Sequence, residues 1–279
     1  MKKCLAVGII LLFVGAGVIP SFAQSISEKS PPIISQGGGH DPIHIESNDE
    51  FTSENGVTGG DGTENNPYLI ENWVFVGSEQ AISIWNTDVY FIIRNCTIRG
   101  FSNGIWFITV ANGRIEKTTI DVSENGMIIE NSHNIMITDN TINANLVNIG
   151  LESEYDMNIS RNTFITTYEV IIGGDNNYIF SYNTLINGSL GIRGSCILYR
   201  NNFMTKPQPI ILTILFDIYV HLSSHVKFLQ NYWWKPRLFP KLILGIIYKP
   251  GIDQPEFVLP WFFIDWHPAK KPYDIPGMS

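Results

Sequence analysis

Charge is what this 279-residue chain has least of. Lys, Arg, Asp and Glu together make 16% of it, where about 25% is usual for a globular domain. A basic excess is missing too: 18 Lys and Arg stand against 26 Asp and Glu, a net charge of −8. Phosphate backbones are held by basic surfaces, so nucleic acid is excluded as a partner. Cysteine is nearly absent, with three residues. Cys4 precedes an apolar run at the N-terminus. Only Cys96 and Cys196 remain downstream, and nothing in the spacing requires them to pair. There is no Cys-x-x-Cys, no Met-His cluster, no Ser-His-Asp set, no phosphate-cradling loop and no metalloprotease motif. Long apolar runs are lacking beyond the N-terminus as well. The best candidate, residues 209–220, is interrupted by Asp217, so no stable membrane span is expected there.

What is there begins with MKKCLAVGIILLFVGAGVIPSFAQ. Lys2 and Lys3 precede an apolar stretch, and Ser21-Phe22-Ala23 offers a small-x-small cleavage site. This reads as a secretory signal peptide over residues 1–23, cut after Ala23, the alternative being a retained anchor. Its removal takes away Lys2 and Lys3 and no acid, so −8 becomes −10. The expected location is secreted or at the cell surface.

The remaining chain is rich in Asn and carries 24 Gly, residues that tolerate tight-turn conformations. It also repeats itself. NIMITDNTINA at 134–144 is answered by MNISRNTFITT at 157–167. With the residue before the Thr of "NT" as anchor, Val74, Cys96, Thr118, Asn140, Asn162, Asn183, Asn201 and Asn231 fall in line. The steps are 22, 22, 22, 22, 21, 18 and 30. Two positions on, every residue is apolar: Val76, Ile98, Ile120, Ile142, Phe164, Leu185, Phe203, Trp233. Three positions back the column reads Ile93, Ile115, Ile137, Ile159, Phe180, Leu198 and Phe228, with Glu71 breaking it at the first rung. Short alternating runs at a period near 22, between Asn and Gly turns, predict an all-β, right-handed parallel β-helix of about seven to eight rungs. Rungs stack about 4.8 Å apart. Asn at a bend can then pass amide bonds from rung to rung.

The rungs carrying DNTI, RNTF and NCTI resemble the β-helix repeats of the NosD-type and CASH (carbohydrate-binding and sugar-hydrolysis) families. The segment FTSENGVTGGDGTENNPYLIENW (51–73) is similar to the N-terminal cap of secreted archaeal members, and FFIDWHPAKKPYDIPG (262–277) to their closing segment. The resemblance implies a secreted β-helix. Some relatives are lyases or hydrolases of polysaccharides, and many are surface or binding proteins. NosD-type relatives are linked to copper-site assembly, a role that the missing Cys-x-x-Cys and Met-His cluster leave without support.

Along the chain, residues 24–40 read as a flexible leader, 41–73 as an N-terminal cap, 74–233 as the β-helix with an insertion at 204–225, and 234–279 as an aromatic C-terminal cap. Trp261 and Trp266 in that cap are candidate sugar-stacking residues.

Stacking turns sequence distance into spatial distance. Ten residues before the anchor lie Glu130 and Glu152. Eight before it lie Glu154, Asp175 and Arg193. Together they predict an acidic side wall. As an enzyme site, Glu130 and Glu152 would be the acids and Arg193 the base or clamp of a polysaccharide lyase or glycoside hydrolase. As a metal site, Glu130, Glu152, Glu154 and Asp175 would hold Ca²⁺, the one cofactor to consider. The plain alternative is a solvated acidic surface. Lys117, Asp139 and Arg161, one before the anchor, read as an ion ladder between rungs. Asp217, His221 and His225 would share a face only on a helix, and the β-branched context favours strand. His133 reads as a surface turn residue.

The expected function is therefore a secreted cell-surface β-helix that binds polysaccharide or cell-surface glycan without cleaving it. Catalysis by the acidic wall, or a purely structural envelope role, is the alternative. If the four acids converge, Ca²⁺ should stabilise the native state by about 2.7 kcal/mol at a hundredfold excess over Kd. Glu152→Gln/Asp175→Asn should abolish the effect in a melting series. A melting temperature unmoved by millimolar Ca²⁺ would leave only a solvated surface.

Overall fold

Segments such as Phe91–Arg94, Gly113–Glu116 and Thr119–Asp121 send alternate side chains inward and outward, and their inward members are apolar. Strands this short cannot bury themselves; they gain a core only by stacking. The computed structural model describes residues 38–150, 156–173, 178–192, 195–204, 218–221, 226–250 and 255–275. In it the chain winds as a parallel β-helix with three faces. The first face stacks Ile43–Ile45, Gln80–Thr87, Asn103–Val110, Asn125–Glu130 and the later halves of Thr141–Ile149 and Thr163–Ile172. The second stacks Val74–Val76, Thr97–Arg99, Thr119–Asp121 and the starts of those two long strands. The third runs in parallel from Tyr68–Glu71 to Val226–Leu229.

Each face contributes inward columns. On the third, Ile70, Ile93, Ile115, Ile137, Ile159, Phe180, Leu198 and Phe228 are all buried. On the second, Phe75, Ile98, Ile120, Ile142, Phe164 and Leu185 follow one another. On the first, Ile45, Ile84, Phe107, Ile129, Ile149, Ile172 and Ile192 do so.

The opening rung corrects the constant spacing. Val74 pairs with Thr97 and Phe75 with Ile98, so the first step is 23 residues, and the equivalent of Cys96 is Trp73. Ile70, not Glu71, precedes Ile93 in the core column, and Val76 points out at 61% exposure. The extra residue lies in the bend at 88–90: Thr87 pairs with Val110 across 23 positions, and Phe91 with Gly113 across 22. Glu71 thereby faces outward and pairs with Arg94 at 2.6 Å.

The bend between the third and second faces holds the stack together. Its anchor residues Asn140, Asn162, Asn183, Asn201 and Asn231 are fully buried. Each side-chain oxygen accepts from the backbone N–H of the preceding rung's anchor: Thr118 N to Asn140, Asn140 N to Asn162, Asn162 N to Asn183, Asn183 N to Asn201 and Asn201 N to Asn231, at 2.8–3.0 Å. Each side-chain N–H in turn donates backwards, from Asn140 to Ile115 O, Asn162 to Ile137 O and Asn183 to Ile159 O. The ladder ends on Asp265, also fully buried. Its carboxylate accepts from Gln230 N, Asn231 N, Asn231 Nδ2 and Trp233 Nε1.

Directly before each anchor the chain turns through left-handed backbone. Asn72, Asn95, Lys117, Asp139, Arg161, Tyr182, Arg200 and Gln230 have φ between 50° and 61°. That conformation costs an ordinary L-residue roughly 1–2 kcal/mol. The ladder outweighs it, because turn groups buried without partners would cost more. Of the anticipated charge ladder, Arg161 and Asp139 pair: Arg161 Nε donates to Asp139 Oδ1 at 2.8 Å, and its hydrogen bond, with Lys117 adding a smaller pull, holds the Asp139 carboxyl below its ordinary value.

Cys96 and Cys196 are free and buried, about five rungs or roughly 24 Å apart along the stack, where a disulfide needs Cα atoms within about 7 Å.

Ile159→Asp should prevent folding, since it buries a lone carboxylate, while Thr141→Ser should shift stability by no more than about 0.5 kcal/mol. Asn162→Ala strands Asn140 N and one N–H of Asn140 Nδ2 and removes the donor to Ile137 O, and should cost about 3 kcal/mol or more in a urea titration.

Burial pushes the Cys96 thiol up to about 11 and raises Cys196 as well. The unfolded thiols ionise near 8.5–9 while the native ones keep their protons, so ionisation favours the unfolded chain. Stability should therefore fall as pH climbs from about 9 towards 11, by roughly 1 kcal/mol per unit for each thiol. Alkylation at pH 8 should require denaturant, and a Cys96–Cys196 crosslink in non-reduced protein would contradict the stacking.

Candidate functional site: a groove on the third face

The outward positions of the third face stack as Leu69, Ile92, Arg114 and Met136. At their upstream edge the surface is concave. A groove of about 310 Å³ is floored by Ile92, Arg114 and Met136, rimmed by Tyr90, Asn112 and Asn134, and walled by Glu64 and Pro67.

Each part has a local cause. The wall belongs to the loop before Tyr68. There Asp61 Oδ1 accepts from Thr63 N and Thr63 Oγ1, closing the turn. These hydrogen bonds hold the exposed Asp61 carboxyl below its ordinary value. Tyr90 N donates to Gly62 O and Tyr68 N to Tyr90 O, which ties wall to rim. The additional residue of the 88–90 bend is what brings Tyr90 there. On the rim, Asn112 and Asn134 take left-handed turns. Asn134 Nδ2 donates to Asn112 Oδ1 at 2.6 Å, and Asn112 Nδ2 to Asp88 O at 2.7 Å. Below them Gly113 leaves room for the Phe91 ring: a Cβ there would come within 2.7 Å of Phe91 Cζ. Arg114 Nη1 stands 3.8 Å from Glu116 Oε2, with 44% of the arginine side chain exposed. One loose carboxylate contact leaves most of the guanidinium fork open to a ligand.

The arrangement suits binding. A guanidinium recognises planar anions through paired N–H donors. The amide rim serves hydroxyl groups, and the Tyr90, Ile92 and Met136 surfaces serve the apolar faces of a ring.

The first face carries a second concentration of aromatic rings. Trp85 and Trp106 meet at 6.2 Å between centroids, tilted by 74°, and His44 lies 4.8 Å from Trp85. Trp85 Nε1, Trp106 Nε1 and Asn148 Oδ1 are shielded from solvent without hydrogen-bond partners. Glu130 belongs to this wall: Trp85 pairs with Ile108, and Ile108 with Glu130.

Of the residues singled out in the sequence, Glu130 is thus placed, half-buried. Glu152, Glu154, Asp175 and Arg193 lie outside the described residues, as do Asp217 and His225. Near Glu130 the register steps by 20 residues, Ile129 to Ile149, so the next position on the following turn is that of Gly150. His221 sits in a strand, Ile218–His221. Trp261 lies in the strand Pro255–Asp265 opposite Gly245, with its side chain outside what the structure describes, and Trp266 is 64% exposed. Among the described residues, no three His, Cys, Asp or Glu side chains gather as metal ligands. The Arg114 groove escaped the sequence reading. Its one sequence signal is the alternation of GRIE at 113–116, which turns Arg114 outward; the concavity comes from the irregular first rung.

The family model described as "Periplasmic copper-binding protein (NosD)" matches residues 33–233. No curated protein and no solved structure matches the chain.

Proposed function

The chain belongs to the NosD family, and on that premise we propose that it is a secreted, cell-surface binding solenoid that holds an acidic glycan in the Arg114 groove without cleaving it. The family description places such proteins in the periplasm, and no helix of the described residues is long and apolar enough to cross a membrane. Support for a binding role comes from the groove itself: an open guanidinium beside an amide rim and an aromatic ring, the set of groups that reads a carboxylated, hydroxyl-rich ring. Glu116 neutralises Arg114 only loosely, so a uronate carboxylate replaces a weak contact with a strong one.

The family description also names copper. Among the described residues no three His, Cys, Asp or Glu side chains gather to hold it. Cys96 and Cys196 are buried, protonated thiols far apart, and His44 is engaged on both ring nitrogens, with Ser83 and Glu46. Copper has no part in the proposed binding.

Uronate-bearing oligosaccharides should bind in a glycan array and by calorimetry. Arg114→Ala should weaken binding about 10- to 100-fold, the value of a charge-assisted hydrogen bond pair. Arg99→Ala, exposed on the second face, should leave it unchanged. Equal affinity in wild type and Arg114→Ala would overturn the assignment, and release of unsaturated uronates would replace binding with lyase chemistry.

A further inference from the structure

The solenoid's C-terminal end differs in chemistry from its body. In the body, three arginines of the rung bends and faces stand beside acids: Arg94 with Glu71, Arg114 loosely with Glu116, Arg161 with Asp139. At the C-terminal end four described cations, Lys235, Arg237, Lys270 and Lys271, make no ion pair. Lys235 lies over the Trp234 ring at 4.2 Å. Arg237 makes no ion pair, and its Nε is shielded from solvent without an acceptor. Lys270 and Lys271 are exposed and lack ion pairs. Of the described acids at this end, Asp265 is fully buried and consumed by the end of the asparagine ladder, and Asp274 is exposed without an ion pair.

Among these cations stand the most exposed large apolar residues of the described chain. Leu238 is 80% and Phe239 79% exposed, on the turn between Pro236 and Pro240. Lys241 pairs with Asp265 across the closing hairpin. This register brings Trp266, itself 64% exposed, to the end of the hairpin that the Leu238–Phe239 turn leads into. Leu242 and Leu244 continue the apolar strip, with Leu244 opposite Phe262. None of these side chains is needed to close the core, which Trp233, Phe228 and Ile243 already fill.

We propose that this end docks on an anionic lipid surface, with Leu238, Phe239 and Trp266 entering the interface and Lys235, Arg237, Lys270 and Lys271 meeting the headgroups. Neither signal suffices alone: a few apolar side chains give marginal binding, and stable attachment takes apolar insertion together with basic attraction. Trp prefers the headgroup level, where its ring is buried and its N–H is wet. The remainder of the chain is acidic and is repelled by the same surface. The protein is therefore oriented with its axis away from the membrane and its groove accessible. A glycan would also stack on exposed aromatics, but it has no use for four unpaired cations around a Leu-Phe tip.

Vesicle flotation with the full chain lacking residues 1–23 tests this. Vesicles of phosphatidylcholine with 30 mol% phosphatidylglycerol should bind at least tenfold more protein than pure phosphatidylcholine; each cation near such a surface is worth about fivefold. Raising salt from about 0.1 to 0.5 M should remove most of that difference. Leu238→Ser/Phe239→Ser and, separately, Lys270→Gln/Lys271→Gln should each lose binding tenfold or more with unchanged melting temperature, since all four residues are exposed. Trp266→Phe should remove the fluorescence blue shift that accompanies binding. Equal binding to neutral and anionic vesicles, or retention by the Leu238/Phe239 variant, would overturn the proposal. So would competition by soluble neutral glycan, which would make the tip a sugar platform. Arg114→Ala should leave vesicle binding intact, which separates this surface from the groove.

Discussion

One line of buried amides governs this molecule. From Thr118 to Asp265, each anchor accepts the backbone N–H of the preceding rung and, where it is Asn, returns its own N–H to a carbonyl deeper in the stack. The bend it lines passes through left-handed backbone at every turn. Apolar columns would collapse in many registers; the ladder admits one, because a slip of a single residue would leave several buried donors and acceptors unmet at once. Upstream, Thr118 and Cys96 replace Asn, and the contact loosens to 3.4 Å between Cys96 N and Thr118 Oγ1. There the rungs rely more on packing.

The ladder has a direction, and its ends differ. Every anchor needs an acceptor from the next rung, so the last one needs an acceptor with no rung behind it. A carboxylate meets that requirement better than an amide, since it accepts on both oxygens and donates nothing. Asp265 fills the role while the hairpin that carries it covers the open edge, a device that also guards against edge pairing between copies. Because Asp265 is committed to the ladder, it cannot balance the lysines and arginine around it. How the coil is closed thus contributes to the basic character of this end.

Rigid rungs also explain where recognition sits. A regular coil offers flat walls; a concavity needs a departure from the repeat. The extra residue at 88–90 and the turn held by Asp61 supply one next to Arg114. The tryptophan wall of the first face, in contrast, lies on regularly paired strands.

Much of this was legible in the chain itself. Parallel coiling, the core columns of the second and third faces, the asparagine bends and the separation of Cys96 from Cys196 all follow from period and alternation, because stacking preserves spacing and an inward position tolerates only apolar residues. Tertiary structure decided what periodicity cannot carry. A one-residue bulge in a bend moves Ile70 into the core and Glu71 out, yet alters no local pattern enough to be read. Likewise the step of 20 residues from Ile129 to Ile149 departs from the period of 22 without any mark in the local pattern. Arg114 becomes a site only through a loop fifty residues upstream. Local sequence dictates which way a side chain points; which side chains share a hollow depends on loop lengths summed over whole turns, and only the folded coil performs that sum.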